Sequence, residues 1–319
     1  MPRILKPATS PKQQIETLRS RGMHLEDSLA YQWLENVSYY RLSAYWYPAR
    51  AFGQDGKRTD AVHEGTCFSD VVALYEADRK LRTLVHDGIE RIEVMLRTRI
   101  GERLVASGPL AYKDPRHFRP TFDHASWVST ANKRVRRASR SNEPIKHYKA
   151  QYGGQYPFWV LAEVLDFSDV SRLYEGMLAR DQRAIAEGLG VTPALAGLSK
   201  SQQTKLKKQS PLARWFEQIT IVRNICAHHS RLWNKSFTPA PTVALRTQDE
   251  FRLLPEGQSE DLFGALLMMS HLLRIASPGT SWPQKVVDLI KQEFLANPLV
   301  TQTALGLPDD WEKGLLMAG

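Results

Sequence analysis

Cysteine is nearly absent from this chain of 319 residues: Cys67 and Cys226 stand far apart and outside any CxxC spacing. Neither a disulfide framework nor a cysteine zinc site is therefore supported. Long apolar runs are missing too. No stretch of about 18 uncharged hydrophobic residues occurs, so no membrane span is expected. The first residues, Met-Pro-Arg-Ile-Leu-Lys, lack the apolar segment of a secretory signal, and cytoplasm is the expected compartment. There is no GxxxxGKS/T loop, GxGxxG, HExxH or GxSxG. ATP hydrolysis, dinucleotide chemistry, zincin proteolysis and α/β-hydrolase chemistry thus lose their usual signatures. No tight carboxylate cluster points to a two-metal nuclease, and neither a metal nor another cofactor is expected.

Hydrophobic residues make up 42% of the chain and charged residues 24%, enough apolar material for a core and so not a disordered chain. The formal charge is +9 and it is concentrated. Residues 113–149 hold ten Lys or Arg against Asp114, Asp123 and Glu143, a local excess of +7. Lys200, Lys205, Lys207 and Lys208 form a second basic group with no acid nearby. Such patches attract polyanions. Lys133, Arg134, Arg136, Arg137 and Arg140 are the candidate phosphate contacts, with the interleaved His117, Trp127 and Tyr148 as candidate base-stacking rings.

Helical periodicity dominates the rest. Ser10, Pro11 and Gln13 supply an N-cap, a first-turn proline and a capping box, with Gly22 as the stop. A second helix is expected over 27–36, followed by an aromatic segment, 38–47, that breaks at Pro48. Residues 53–60, GQDGKRTD, look like a turn or loop. The clearest helix is expected over 69–106, where Leu74, Leu81, Val85, Ile89, Ile92, Leu96, Ile100 and Leu104 form one apolar stripe. Gly88 is a candidate kink within it, and Glu90, Glu93 and Arg97 lie on its polar side. Further helical blocks are expected over 157–177, 211–229, 260–275 and 283–295. No alternating run is long enough for a sheet. The expected fold class is all-α.

One segment combines residue types suited to chemistry: Arg223-Asn224-Ile225-Cys226-Ala227-His228-His229-Ser230-Arg231-Leu232-Trp233-Asn234. An Arg five positions before a His is not informative alone. Arg19/His24, Arg58/His63 and Arg119/His124 share the spacing, and composition predicts about one such pair by chance. Only Arg223/His228 sits at the polar edge of a strongly amphipathic helix. At about 100° per residue, Asn224 and His228 share a face, whereas Arg223 lies about 140° from His228. The pair converges if the helix ends near Ala227 or if two copies pack around a shared cleft. In the bland alternative, Arg223 pairs with an acid such as Glu90 or Glu93 and His228 is a polar cap. Cys226, on the apolar face, reads as inert filler.

The Arg-Asn-x-x-x-His segment with its following His-x-Arg-Leu-Trp-Asn resembles the HEPN ribonuclease signature of the AbiD/AbiF-like branch of bacterial abortive-infection proteins. Tyr39-Tyr40-Arg41-Leu42-Ser43 with Tyr45, Glu90-Arg91-Ile92-Glu93 with Arg97-Thr98, and Pro157-Phe158-Trp159 with Glu163 and Phe167 resemble the same branch in the same order. The likeness covers roughly residues 10–275. It implies a HEPN-type helical bundle over 61–275 carrying a basic helical or loop insertion at about 110–150. A helical extension over 1–60 and a helical tail over 276–319 complete the expected organisation. It also implies metal-independent endoribonuclease activity at a homodimer interface, in phage defence through growth arrest, and distant kinship to RNA-guided type VI CRISPR effectors.

Arg223 and His228 match the catalytic pair and Asn224 the polar residue after Arg, with His229 at the neighbouring permitted spacing. Glu90, Glu93 and Arg97 take supporting places, Glu93 and Arg97 as an ion pair. RNA is the expected substrate and a second copy of the chain the expected partner. An antitoxin and a regulatory noncoding RNA are further candidates. The alternative function is a catalytically silent HEPN module that binds RNA or a protein partner.

Overall fold

Capping signals and apolar stripes in the sequence become helices throughout. The computed structural model describes Leu5 and residues 7–317. Among these residues the helices are α1 (Pro11–Ser20), α2 (Asp27–Val37), α3 (Tyr39–Trp46), α4 (Phe68–Val105), α5 (His124–Ala138), α6 (Glu143–Gln151), α7 (Phe158–Ala162), α8 (Phe167–Gly176), α9 (Ala179–Gly188), α10 (Lys200–Lys208), α11 (Leu212–Ala227), α12 (Leu262–Ala276), α13 (Trp282–Leu289) and α14 (Trp311–Leu316). Two small antiparallel pairs accompany them, β1 (Arg50–Phe52) with β2 (Arg58–Val62) and β3 (Ala240–Pro241) with β4 (Gln258–Ser259). The fold is all-α.

The chain divides into two compact units, residues 1–83 with 285–304 and residues 84–284 with 305–319. The span 1–60, expected as an extension, falls inside the first unit, and the span 276–319 is shared between the two.

In the first unit, Ser10 and Gln13 close the expected capping box. The Gln13 amide donates to Ser10 Oγ at 3.3 Å and the Ser10 amide to Gln13 Oε1 at 2.9 Å. Gly22, at φ 88°, follows the end of α1. In α3, Leu42, Tyr45 and Trp46 are buried while Tyr40 is 89% exposed, so the aromatic segment is only in part core. The Tyr45 hydroxyl donates to Asp78 at 2.7 Å, and Arg82 ion-pairs with Asp78 while donating to the Tyr45 hydroxyl at 3.2 Å. Burial and the neighbouring Asp78 push the Tyr45 hydroxyl pKa upward.

Of residues 53–60, expected as a turn or loop, 53–57 form the turn of a hairpin, and from Arg58 the chain is its second strand. The Gly53 amide donates to the Lys57 carbonyl at 2.8 Å, and Arg58 donates to the Pro48 and Arg50 carbonyls. Strands this short carry too few residues for alternation to show.

α4 is one helix of 38 residues whose entire apolar stripe is buried. Gly88 does not break it. A Cβ there would stand 2.9 Å from Trp282 Nε1 and 3.0 Å from both Leu273 Cδ1 and Met269 Cε, so the glycine serves close packing in the second unit. The block expected over 157–177 is two helices, because Asp166 and Asp169 supply a fresh N-terminal signal inside it: the Asp166 amide donates to the Asp169 carboxylate at 3.0 Å. The expected basic insertion is largely helical, as α5 and α6. α8 and α11 pack together, with α5 on α8 and α12 against α11. Trp215, Phe216, Ile219 and Val222 of α11 and Val170, Leu173 and Tyr174 of α8 are fully buried in that core.

Candidate active site

The last turn of α11 carries the candidate chemistry. Its apolar face, ending in Ile225 and Cys226, is anchored in the core and leaves Arg223 half-buried and Asn224 exposed. The helix ends at Ala227, one of the two conditions under which Arg223 and His228 would converge. His228 is the C-cap, at φ −91° and ψ 10°, and its amide donates to the Asn224 carbonyl at 3.0 Å. The His229 amide donates to the Cys226 carbonyl and the Ser230 amide to the Ile225 carbonyl, both at 3.0 Å. This is the Schellman pattern of bonds, with His229 in the left-handed position at φ 54°, where glycine is usual.

Past the turn, Leu232 and Trp233 are fully buried and Arg231 lies 5.6 Å over the Trp233 ring. The segment after the histidines therefore works as an anchor. It holds a short exposed turn bearing His228 and His229 against the core.

Around this turn the structure joins some candidates and leaves others apart. Arg223 Nη1 donates to Asn224 Oδ1 at 3.4 Å. The ring of His228 is exposed and makes no hydrogen bond among the described residues. Glu93 and Arg97, one turn apart on α4, form an ion pair whose side chains are 14% and 18% exposed. Arg97 also donates to the Leu165 carbonyl at 2.7 Å, and its Nε is buried without a partner among the described residues. Burial holds the Glu93 carboxyl above its ordinary range; the Arg97 and Arg223 cations pull it back and Asp166 adds to the rise. Glu93 thus lies within the electrostatic reach of Arg223. Glu90 is exposed on another face of α4, beside Val94 and Thr98.

The basic candidates divide in two. Arg134 is committed to the fold: Nε bonds Asp169 at 2.8 Å and Nη2 bonds Asp166 at 2.7 Å. Arg137 pairs with Asp166 at 2.9 Å while staying 61% exposed. Lys133, Arg136 and Arg140 are exposed and in no ion pair among the described residues. Trp127 is buried, its Nε1 donating to the Asp169 carbonyl at 2.9 Å, so it stacks on no base. Asp166 and Asp169 carry roles that the sequence alone did not reveal, although the Asp-x-x-Asp spacing was the available signal. Among the described residues no group of three or more His, Cys, Asp or Glu is arranged to hold a metal ion, and no helix is long and apolar enough to cross a membrane.

A family model described as Abi-like protein matches residues 32–234, more than half of the chain. The chain belongs to the Abi-like family. The matched span contains Glu90, Glu93 and Arg97, the basic helices α5 and α6, and the whole turn after α11. It closes at Asn234, directly after the anchoring Trp233. No curated protein and no solved structure matches this Abi-like chain.

Proposed function

We propose that this chain is a HEPN-type, AbiD/AbiF-like endoribonuclease that cuts RNA without a metal ion and acts as a toxin-like effector of abortive infection in phage defence. The observation that carries the reading is the end of α11: a half-buried Arg223 and an exposed His228 are held on a rigid, core-anchored helix terminus. The chemistry suits these residue types. The 2′-hydroxyl of RNA attacks the adjacent phosphorus, the P–O5′ bond breaks, and a 2′,3′-cyclic phosphate and a 5′-hydroxyl result. One proton leaves the 2′-oxygen and one reaches the departing 5′-oxygen, a task for an imidazole, which can both accept and donate a proton. A permanently charged guanidinium stabilises the developing phosphorane. His228 takes the first role and Arg223 the second. Asn224 steers Arg223 through their hydrogen bond, and the Glu93–Arg97 pair shapes the field around it.

The active species is a homodimer in which two copies of α11 line one cleft. RNA is the substrate, and an antitoxin or a noncoding RNA restrains the protein in the cell. Arg223→Ala and His228→Ala should each abolish most cleavage while leaving helical content intact. The double variant should lose no more than either single one, because both residues act on one transition state. Cleavage should persist in chelator. Mixing the two single variants tests the dimer, since partial rescue requires both chains at one site.

The exposed cap position of His228, with no bond to Arg223, also favours a second reading, a catalytically silent RNA-binding module. Full activity in a clean Arg223→Ala or His228→Ala protein would remove these residues as the catalytic pair. Absence of cleavage in the unmutated protein would leave the silent module.

A further inference from the structure

α6 carries a ring cluster that the fold does not bury. α5 and α6 meet at a hydrogen-bonded corner, where the Ser141 and Asn142 amides both donate to the Ala138 carbonyl at 3.1 and 2.9 Å. Ile145 is fully buried and pins α6 to the second unit. One turn on, Tyr148 and Tyr152 stack at 4.7 Å and 26°, and His147 meets both edge-on at 5.6 and 5.8 Å. His147 is exposed, Tyr148 half-buried and Tyr152 55% exposed. None of the three side chains makes a hydrogen bond among the described residues. Gly153 and Gly154, at φ 58° and 76°, turn the chain sharply away after Tyr152.

Basic residues flank the cluster along the chain. Lys149 is exposed, unpaired among the described residues, and three positions from Tyr152. On α5, Lys133, Arg136 and Arg137 recur at steps of three and four, hence on one face, and Arg140 follows at the corner. The nearby acids are taken: Glu143 pairs with Lys146 at 2.7 Å, and Asp166 with Arg134 and Arg137. Solvent-accessible rings, two of them stacked, together with unpaired cations are the equipment of single-strand binding, where bases stack on aromatic faces and cations track the phosphates.

We propose that His147, Tyr148 and Tyr152 form a stacking platform for the unpaired bases of single-stranded RNA, with Lys133, Arg136, Arg140 and Lys149 on its phosphates. This rests on the reading of the chain as an RNA-acting protein and names its substrate class. Duplex RNA does not fit, because its base faces are already stacked within the helix.

The test uses the full chain and a fluorescent 2′-O-methyl single strand of about 12 nucleotides, which cannot be cleaved, beside the same sequence in a blunt duplex. Tyr152→Ala and Tyr148→Ala should each weaken single-strand binding by about 5- to 100-fold, with duplex binding and the salt slope unchanged. Tyr152→Trp should retain affinity and shows that the exposed site tolerates replacement. Binding of the double alanine variant within about twofold of the unmutated chain would overturn the platform. So would equal or tighter binding of the duplex, or no single-strand binding at all. Because the probe carries no free 2′-hydroxyl, a failure of the nuclease reading shows only in the cleavage assay and leaves this result untouched.

Discussion

The Ser230 amide donates to the Ile225 carbonyl at 3.0 Å, and the turn this bond closes holds His229 at φ 54°. Left-handed backbone disfavours an L-residue with a Cβ by about 1–2 kcal/mol, whereas glycine adopts it freely. His229→Gly and His229→Ala delete the same imidazole, so their difference isolates the backbone. The glycine variant should be about 1 kcal/mol more stable than the alanine variant in denaturant unfolding. Equal stabilities would mean that the turn relaxes when the ring is removed.

Asp78 and Arg82 test the core of the first unit. Their side chains are 0% and 6% exposed and share the Tyr45 hydroxyl. Removing one member of such a pair strands the other charge away from water, at about 3–5 kcal/mol. Asp78→Ala should therefore lower stability by that order. The triple change Tyr45→Phe, Asp78→Leu and Arg82→Met removes these three polar groups together and should recover most of the loss. A triple variant as unstable as Asp78→Ala would show that the network is needed for more than charge balance.

Stability should also fall on mild acidification through His271. Burial lowers its imidazole below the ordinary value of 6.5, and Arg274 lowers it further; the bond between Nε2 and the Leu189 carbonyl, at 2.8 Å, and the charge of Glu250 oppose this. The unfolded chain then takes up the proton first. The stability from the neutral ring is complete above the ordinary value and is lost as pH falls from there toward the lowered one. Melting temperature should decline over that window in the unmutated chain and decline less in His271→Gln. Parallel pH profiles would acquit His271.

Elements marked by local chemistry were legible in the sequence. The capping box of Ser10 and Gln13 placed α1, and an uninterrupted stripe placed α4 to within a residue at either end. What escaped depends on partners distant in the chain. Gly88 reads as a kink until Trp282, Leu273 and Met269 are seen against it. The β1–β2 hairpin is held by Arg58 reaching two carbonyls, which no short-range pattern encodes. At the candidate site, the i,i+4 spacing was enough to foresee the Glu93–Arg97 ion pair. The roles of Asp166 and Asp169 were hidden because their partners lie on α5, about 30 residues earlier in the chain. The left-handed His229 was hidden for another reason: no glycine or asparagine marks the position.

The basic residues of α5 should separate into a structural and a binding class. Asp169 has a side chain only 5% exposed, and Arg134 is the cation that neutralises it. Arg134→Ala leaves that carboxylate buried without its charge-assisted bond and should lower stability by about 1.5–3 kcal/mol. Lys133 and Arg136 are exposed and hold nothing in place, so Lys133→Ala and Arg136→Ala should leave unfolding curves unchanged. Their effect should appear in RNA binding instead. Removing one cation from the phosphates of a single strand flattens the dependence of log affinity on log salt by up to about 0.7. Arg137 lies between the classes, exposed yet paired with Asp166, and phosphate must compete with that carboxylate to engage it. Asp166→Asn should therefore steepen the salt dependence by releasing Arg137. A salt slope indifferent to Lys133, Arg136 and Asp166 together would mean that this helix face is only solvated and that RNA is gripped elsewhere.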